Sequence, residues 1–159
     1  MILHDPVFGK LKWMHQMGVW EGEAELPLDG TFLLAIGVPQ AKAPPADYQR
    51  EGFAKFKDSW TRVVQPQVAR KVWNYWKQGP GADRANAINS PEALYRELGL
   101  VTVTILPSKD KLLLVEMRFE WELDLMGVVV RCVGTDVRRV TNFEDRDKSW
   151  MNSAARFPA

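Results

Sequence analysis

The sequence predicts an α+β fold: an antiparallel sheet of about six to seven strands in two blocks, β-β-β-α-α-α-β-β-β, with helices packed on one face. Three observations carry this expectation. Residues 10–38 alternate apolar and polar side chains with a strand period. Residues 46–98 switch to a helical period, and 100–141 return to alternation. A helical run set between two strand runs with short turns is the pattern of an α+β layer fold.

The elements follow in order. Asp5-Pro6 is a turn signal and leads into a strand over 10–13. Residues 19–26 alternate, with Trp20, Gly22, Ala24 and Leu26 on one face and Glu21, Glu23 and Glu25 on the other. Pro27-Leu28-Asp29-Gly30 turns the chain into a strand over 31–38, whose Phe32, Leu34, Ile36 and Val38 share a face. The three prolines within 39–45 then end the sheet.

A helix is expected from Ala46 or Asp47, with Phe53, Phe56, Trp60 and Val63 or Val64 as its apolar stripe. Pro66 has no N–H to give a helix interior. It marks a kink or the first turn of a second helix, which Val68, Val72, Tyr75 and Trp76 continue. Gly79-Pro80-Gly81 is a stop, and 80–89 is read as an exposed loop. Ser90-Pro91-Glu92 reads as an N-cap with proline in the first turn of a short helix.

Residues 100–106 form a strand with Val101, Val103 and Ile105 inward. Residues 112–123 set Met117, Phe119, Trp121 and Leu123 against Glu116, Arg118, Glu120 and Glu122. Two more strands follow over 127–133 and 136–141. Residues 1–143 are expected as a single domain and 144–159 as a polar tail, with Trp150 and Phe157 as its docking anchors.

Composition narrows the function classes. The chain has 159 residues, of which 46% are hydrophobic, enough for a self-sufficient core. Its net charge of +1 argues against a dedicated nucleic-acid binder, which carries a basic excess. Apolar runs fall far short of a membrane span. The opening Met1 to Pro6 lacks the pattern of a signal peptide. One cysteine, Cys132, sits between valine-rich flanks and suits a reducing compartment. Together these lead to an expectation of a cytoplasmic protein.

Several stretches together resemble an uncharacterised bacterial domain family, a domain of unknown function grouped with the immunity proteins of toxin systems. They are Asp5-Pro6-Val7-Phe8-Gly9-Lys10-Leu11 with Trp20-Glu21-Gly22, the helical block around Phe53, Phe56 and Tyr75, and Phe119-Glu120-Trp121-Glu122 with Gly127 and its valine run. Relatives tend to carry a more acidic, His-Gly-containing turn where this chain has Leu123-Asp124-Leu125-Met126-Gly127. The resemblance implies a binding or neutralising role and supplies no active site.

The residues themselves offer little chemistry. His4 and His15 lack further metal ligands at usable spacing, so no metal is expected. No serine lies in a G-x-S-x-G turn, and Gly79-Pro80-Gly81 is not followed by the Gly-Lys-Ser of a phosphate loop. No cofactor is called for. The most suggestive polar features are the rows Glu21, Glu23, Glu25 and Glu116, Glu120, Glu122. They form either a solvated sheet face or, if their strands adjoin, a carboxylate cluster for a partner.

Trp73 projects from the helical stripe, either packed under the loop at 80–89 or exposed as an interface anchor. The leading expectation is a non-enzymatic protein-binding domain, in its concrete form a toxin-neutralising immunity protein. Its partner-binding residues would be Glu21, Glu23, Glu120, Glu122 and Trp73. The alternatives are a small-ligand binder or enzyme with a pocket between sheet and helices, and a dimer joined through edge strands.

Overall fold

The alternating blocks form one sheet of eight strands: β1 (Ile2–Asp5), β2 (Gly9–Met14), β3 (Val19–Leu26), β4 (Gly30–Gly37), β5 (Leu98–Leu106), β6 (Leu114–Trp121), β7 (Val128–Val133) and β8 (Asp136–Thr141). The computed structural model describes residues 1–79, 82, 88–122 and 127–143. Most of the loop expected over 80–89, the turn at 123–126 and the tail at 144–159 with Trp150 and Phe157 lie outside the described residues.

The strands stand in chain order from β1 to β8. All neighbours are antiparallel except β4 and β5, which run parallel. Parallel neighbours need a long crossover, and the helical block is that crossover. It consists of α1 (Asp47–Asp58), a π-helical turn (Trp60–Val64), α2 (Gln65–Gln78) and α3 (Pro91–Arg96). The sheet is therefore mixed and has four strands on each side of the helices, eight where six to seven were expected.

The additional strand is β1. Four residues carry too little alternation to announce a strand, and its support is tertiary. The Asp5 carboxylate accepts the N–H groups of Val7 and Phe8 at 2.9 and 3.0 Å and pairs with Arg50 at 2.7 Å. This fixes the turn between β1 and β2, where Gly9 takes a positive φ of 75°. Burial works against the Asp5 charge, but these donors together hold its carboxyl below the usual range.

A second correction concerns β5. A bulge between Leu100 and Thr102 shifts the register against β6, so Leu100 pairs with Phe119 and is buried while Val101 is only half-buried. At Pro66 both sequence expectations meet. The chain widens just before it, with Val64 N–H reaching Ser59 O at 3.2 Å, and Pro66 then occupies the first turn of α2. That phase buries Val64 and leaves Val63 exposed.

The helices cover one face of the sheet. Trp20, Leu34, Ile36, Val103, Ile105, Met117 and Phe119 meet Phe53, Phe56, Trp60, Val68, Val72 and Trp76, each no more than 2% exposed. Each such side chain contributes on the order of 1.5–3 kcal/mol by leaving water. The aromatic rings run in two chains, Phe8–Phe53–Phe56–Trp60 and Trp73–Trp76–Trp121, with centroids 5.3 to 6.2 Å apart. Between sheet and helices the large aromatic side chains, among them Trp20, Trp60 and Trp76, are buried in the core.

Buried polar groups tie the layers. Gln49 receives Ala46 N–H at 2.9 Å and donates to Gly37 O at 2.8 Å, linking the start of α1 to the end of β4. Asp29, at the tip between β3 and β4, accepts Trp60 Nε1–H at 2.9 Å on one oxygen and Tyr95 O–H at 2.6 Å on the other. Burial raises the Asp29 pKa against the pull of these two donors. Cys132 lies in the core, and burial pushes its thiol up to about 12.

Candidate binding face

Alternation places every second residue of the sheet on the face away from the helices. The ladders join these residues into rows, because residues paired across strands share a face. One row reads Lys12, Glu21, Ala35, Thr104, Glu116, Arg131, Arg139. The next reads Glu23, Leu33, Thr102, Arg118, Val129, Thr141.

This face is not uniform. Toward β6 and β7 it is closed: Glu116, Val129 and Arg131 are buried, and Arg131 Nε meets Glu116 Oε2 at 3.1 Å. A buried ion pair of this kind favours a fixed arrangement more than it adds stability. Over β3 to β5 the face opens into a hollow of about 660 Å³. Leu33, Ala35, Thr102 and Thr104 form its floor, Met17, Val19 and Val38 one side, and Leu106 with Pro107 another. Arg118 and Phe143 close the β6 side, with the Arg118 guanidinium 4.1 Å from the Phe143 ring centre. Gly37 belongs to the rim by necessity, since a Cβ there would stand 2.9 Å from Pro107 Cδ.

The sequence-derived candidates fall in separate places. Glu21, Glu23 and Glu120 share the open face, but β3 and β6 are separated by β4 and β5. At about 4.8 Å per strand spacing the two acidic rows stand roughly 14 Å apart and form no single cluster. Glu122 lies just past the end of β6 and is exposed. Trp73 lies on α2, on the other side of the sheet. It is half-buried, 5.8 Å from Trp76, with Lys77 Nζ 5.1 Å from its ring. The sequence reading missed the apolar members of the hollow. Leu33 and Met17 are 40% and 66% exposed, and their only local signal is an apolar residue at an outward position.

Two of the other concavities among the described residues lie beside titratable groups. One, of about 510 Å³, begins at Asp29 and Tyr95, but Trp60 and Tyr95 already occupy both Asp29 oxygens. The other, of about 580 Å³, lies among Arg96, Arg118, Glu120 and Glu122 and touches Trp121, whose buried Nε1–H has no partner among the described residues. Among the described residues, no group of three or more His, Cys, Asp or Glu is placed to hold a metal ion. No described helix is long and apolar enough to cross a membrane. Comparison with family models, curated proteins and solved structures finds no match.

Proposed function

We propose that this chain is a non-enzymatic protein-binding domain that works through the open half of its sheet, over β3 to β5. The observation that supports this is the hollow itself: apolar side chains left exposed on a sheet whose other face already carries the full core. Glu21 and Glu23 beside the hollow, with Arg118 across it, give the rim the mixed polarity of a protein interface. The lining is mainly apolar, with Thr102, Thr104, Glu116 and Arg118 as its polar members, which suits a protein surface. The neutralisation of a bacterial toxin in the cytoplasm is the concrete form, and it rests on the family resemblance alone.

Affinity capture from the native host's lysate at moderate salt tests this reading, with three baits compared. The wild type and Trp73→Ala should retain one stoichiometric protein, and Leu33→Glu should lose it by more than ten-fold. A partner lost with Trp73→Ala and kept by Leu33→Glu would move the site to α2. The hollow also has the size of a small-molecule pocket. Native mass spectrometry of the gently purified protein distinguishes that reading, since a retained ligand appears as a fixed mass increment.

A further inference from the structure

A sheet of eight strands in chain order has two edges, β1 and β8, and the chain treats them differently. The β8 edge is capped from within. Gln67 Oε1 accepts Val137 N–H at 3.3 Å, and Lys71 Nζ donates to Val137 O at 2.7 Å. Gln67 Nε2 also donates to Thr135 O at 3.0 Å. Exposed Asp136, Arg138 and Arg139 charge that edge, and a bulge at Arg131/Cys132 breaks its regularity. These are the devices by which proteins blunt an edge strand.

The β1 edge has no such caps among the described residues; it is blunted by its length of four residues alone, with Lys42 and Pro44 beside Met1 to Leu3. Trp13 N–H bonds to Met1 O at 3.0 Å, which makes residues 1 and 13 a hydrogen-bonded pair of the antiparallel ladder. Hydrogen-bonded and non-bonded pairs alternate, so Leu3 and Asp5 bond inward to β2 while Ile2 and His4 turn their N–H and C=O groups outward. Among the described residues none of these four groups has a partner. Ile2 is 56% exposed, and Leu3 packs only partly against the core.

We infer that β1 is a strand-addition site for a second copy of this chain, giving a two-fold dimer through antiparallel β1–β1 pairing. With the axis at Leu3, Ile2 of each copy faces His4 of the other, and the four outward groups per copy make four hydrogen bonds. Leu3 then meets Leu3 of the second copy on the helix side, and the core continues across the junction. The asymmetry of the edges matters here. Because β8 is capped, β1-to-β8 joining is blocked, and assembly closes at two copies with no open filament. Four residues per edge make a small contact, so the dimer is concentration-dependent. The hollow lies three strands away and stays open in it.

Sedimentation velocity of the full chain from 5 µM to 1 mM tests this. The wild type should pass from monomer to dimer and stop there. His4→Pro removes an outward donor that β2 does not use, so it should leave the unfolding midpoint nearly unchanged and weaken dimerisation at least ten-fold. Ile2→Lys should act in the same direction, while Arg138→Ala on β8 should change nothing. A wild type that stays monomeric throughout, a His4→Pro protein that dimerises as well as the wild type, or growth beyond dimers would each overturn the inference.

Discussion

The two faces of this sheet are built from the same strands to opposite ends. On the helix side the inward positions from β2 to β7 are mostly large, apolar and covered, with Gly22, Ala24 and Cys132 as small members, and Gln49 is hydrogen-bonded among them. On the other side the same alternation yields a buried Glu116–Arg131 pair over β6 and β7 and an uncovered apolar hollow over β3 to β5. The helix-side face carries the main core, while over β3 to β5 the other face leaves apolar side chains exposed.

The largest effects should come from what is buried, on either face of the sheet. Trp60→Ala removes a fully buried ring from the end of the aromatic chain and should cost about 3–5 kcal/mol, read as a fall in the urea midpoint. A midpoint that does not move would break the comparison at its root. Glu116→Gln comes next: it leaves the Arg131 charge buried beside a neutral amide and should cost about 3 kcal/mol. Replacing both residues by methionine and leucine should cost far less, which separates the charge from the packing.

Asp29→Ala strips acceptors from Trp60 and Tyr95 and should cost on the order of 1–3 kcal/mol. Asp29→Asn should cost well below that, because its oxygen still serves Trp60 and its amide donates to a rotated Tyr95 hydroxyl. Equal losses for both variants would show that the negative charge itself holds the tip.

Two carboxylates set opposite slopes with pH. The Asp5 pKa is depressed by folding, so its contribution is present above its ordinary value of 3.8 and is lost as pH falls through the lower folded value. The Asp29 pKa is raised, so its contribution is present below 3.8 and is lost as pH rises through the raised folded value. Asp5→Asn should flatten the loss of stability in acid, and Asp29→Asn should remove the opposing slope. Urea midpoints taken across the acid range read both. The smallest effect belongs to the open face. Leu33→Ser should change stability by no more than about 0.5 kcal/mol, since the side chain is already substantially exposed.

The sequence carried the parts of this fold that are local. Alternation over 19–26, 31–38 and 112–123 marked most of the inward residues, although Val38 lines the hollow and Leu123 lies outside the described residues, and Ser90-Pro91 marked α3, where Ser90 Oγ accepts Ala93 N–H at 3.1 Å. What it did not carry was tertiary. The strand β1 depends on Asp5 meeting Arg50, 45 positions away. The bulge that displaces Val101 is a property of the β5–β6 pair and not of β5 alone. The hollow needs the parallel contact of β4 with β5, which brings Leu33 beside Thr102 and Ala35 beside Thr104. No window of the sequence contains both strands, so the outward leucine at 33 had no visible neighbour. The glutamates were legible as a row, but their distance from one another depended on strand order.

The binding role proposed for the open face is tested most directly by a methyl spectrum of the labelled protein, recorded alone and with the partner recovered by capture. Signals of Leu33, Val19, Val38 and Leu106 should shift or broaden on addition, while those of Val64, Val68 and Val72 stay in place. Shifts confined to α2 and the Trp73 indole, with the sheet-face methyls unmoved, would contradict it.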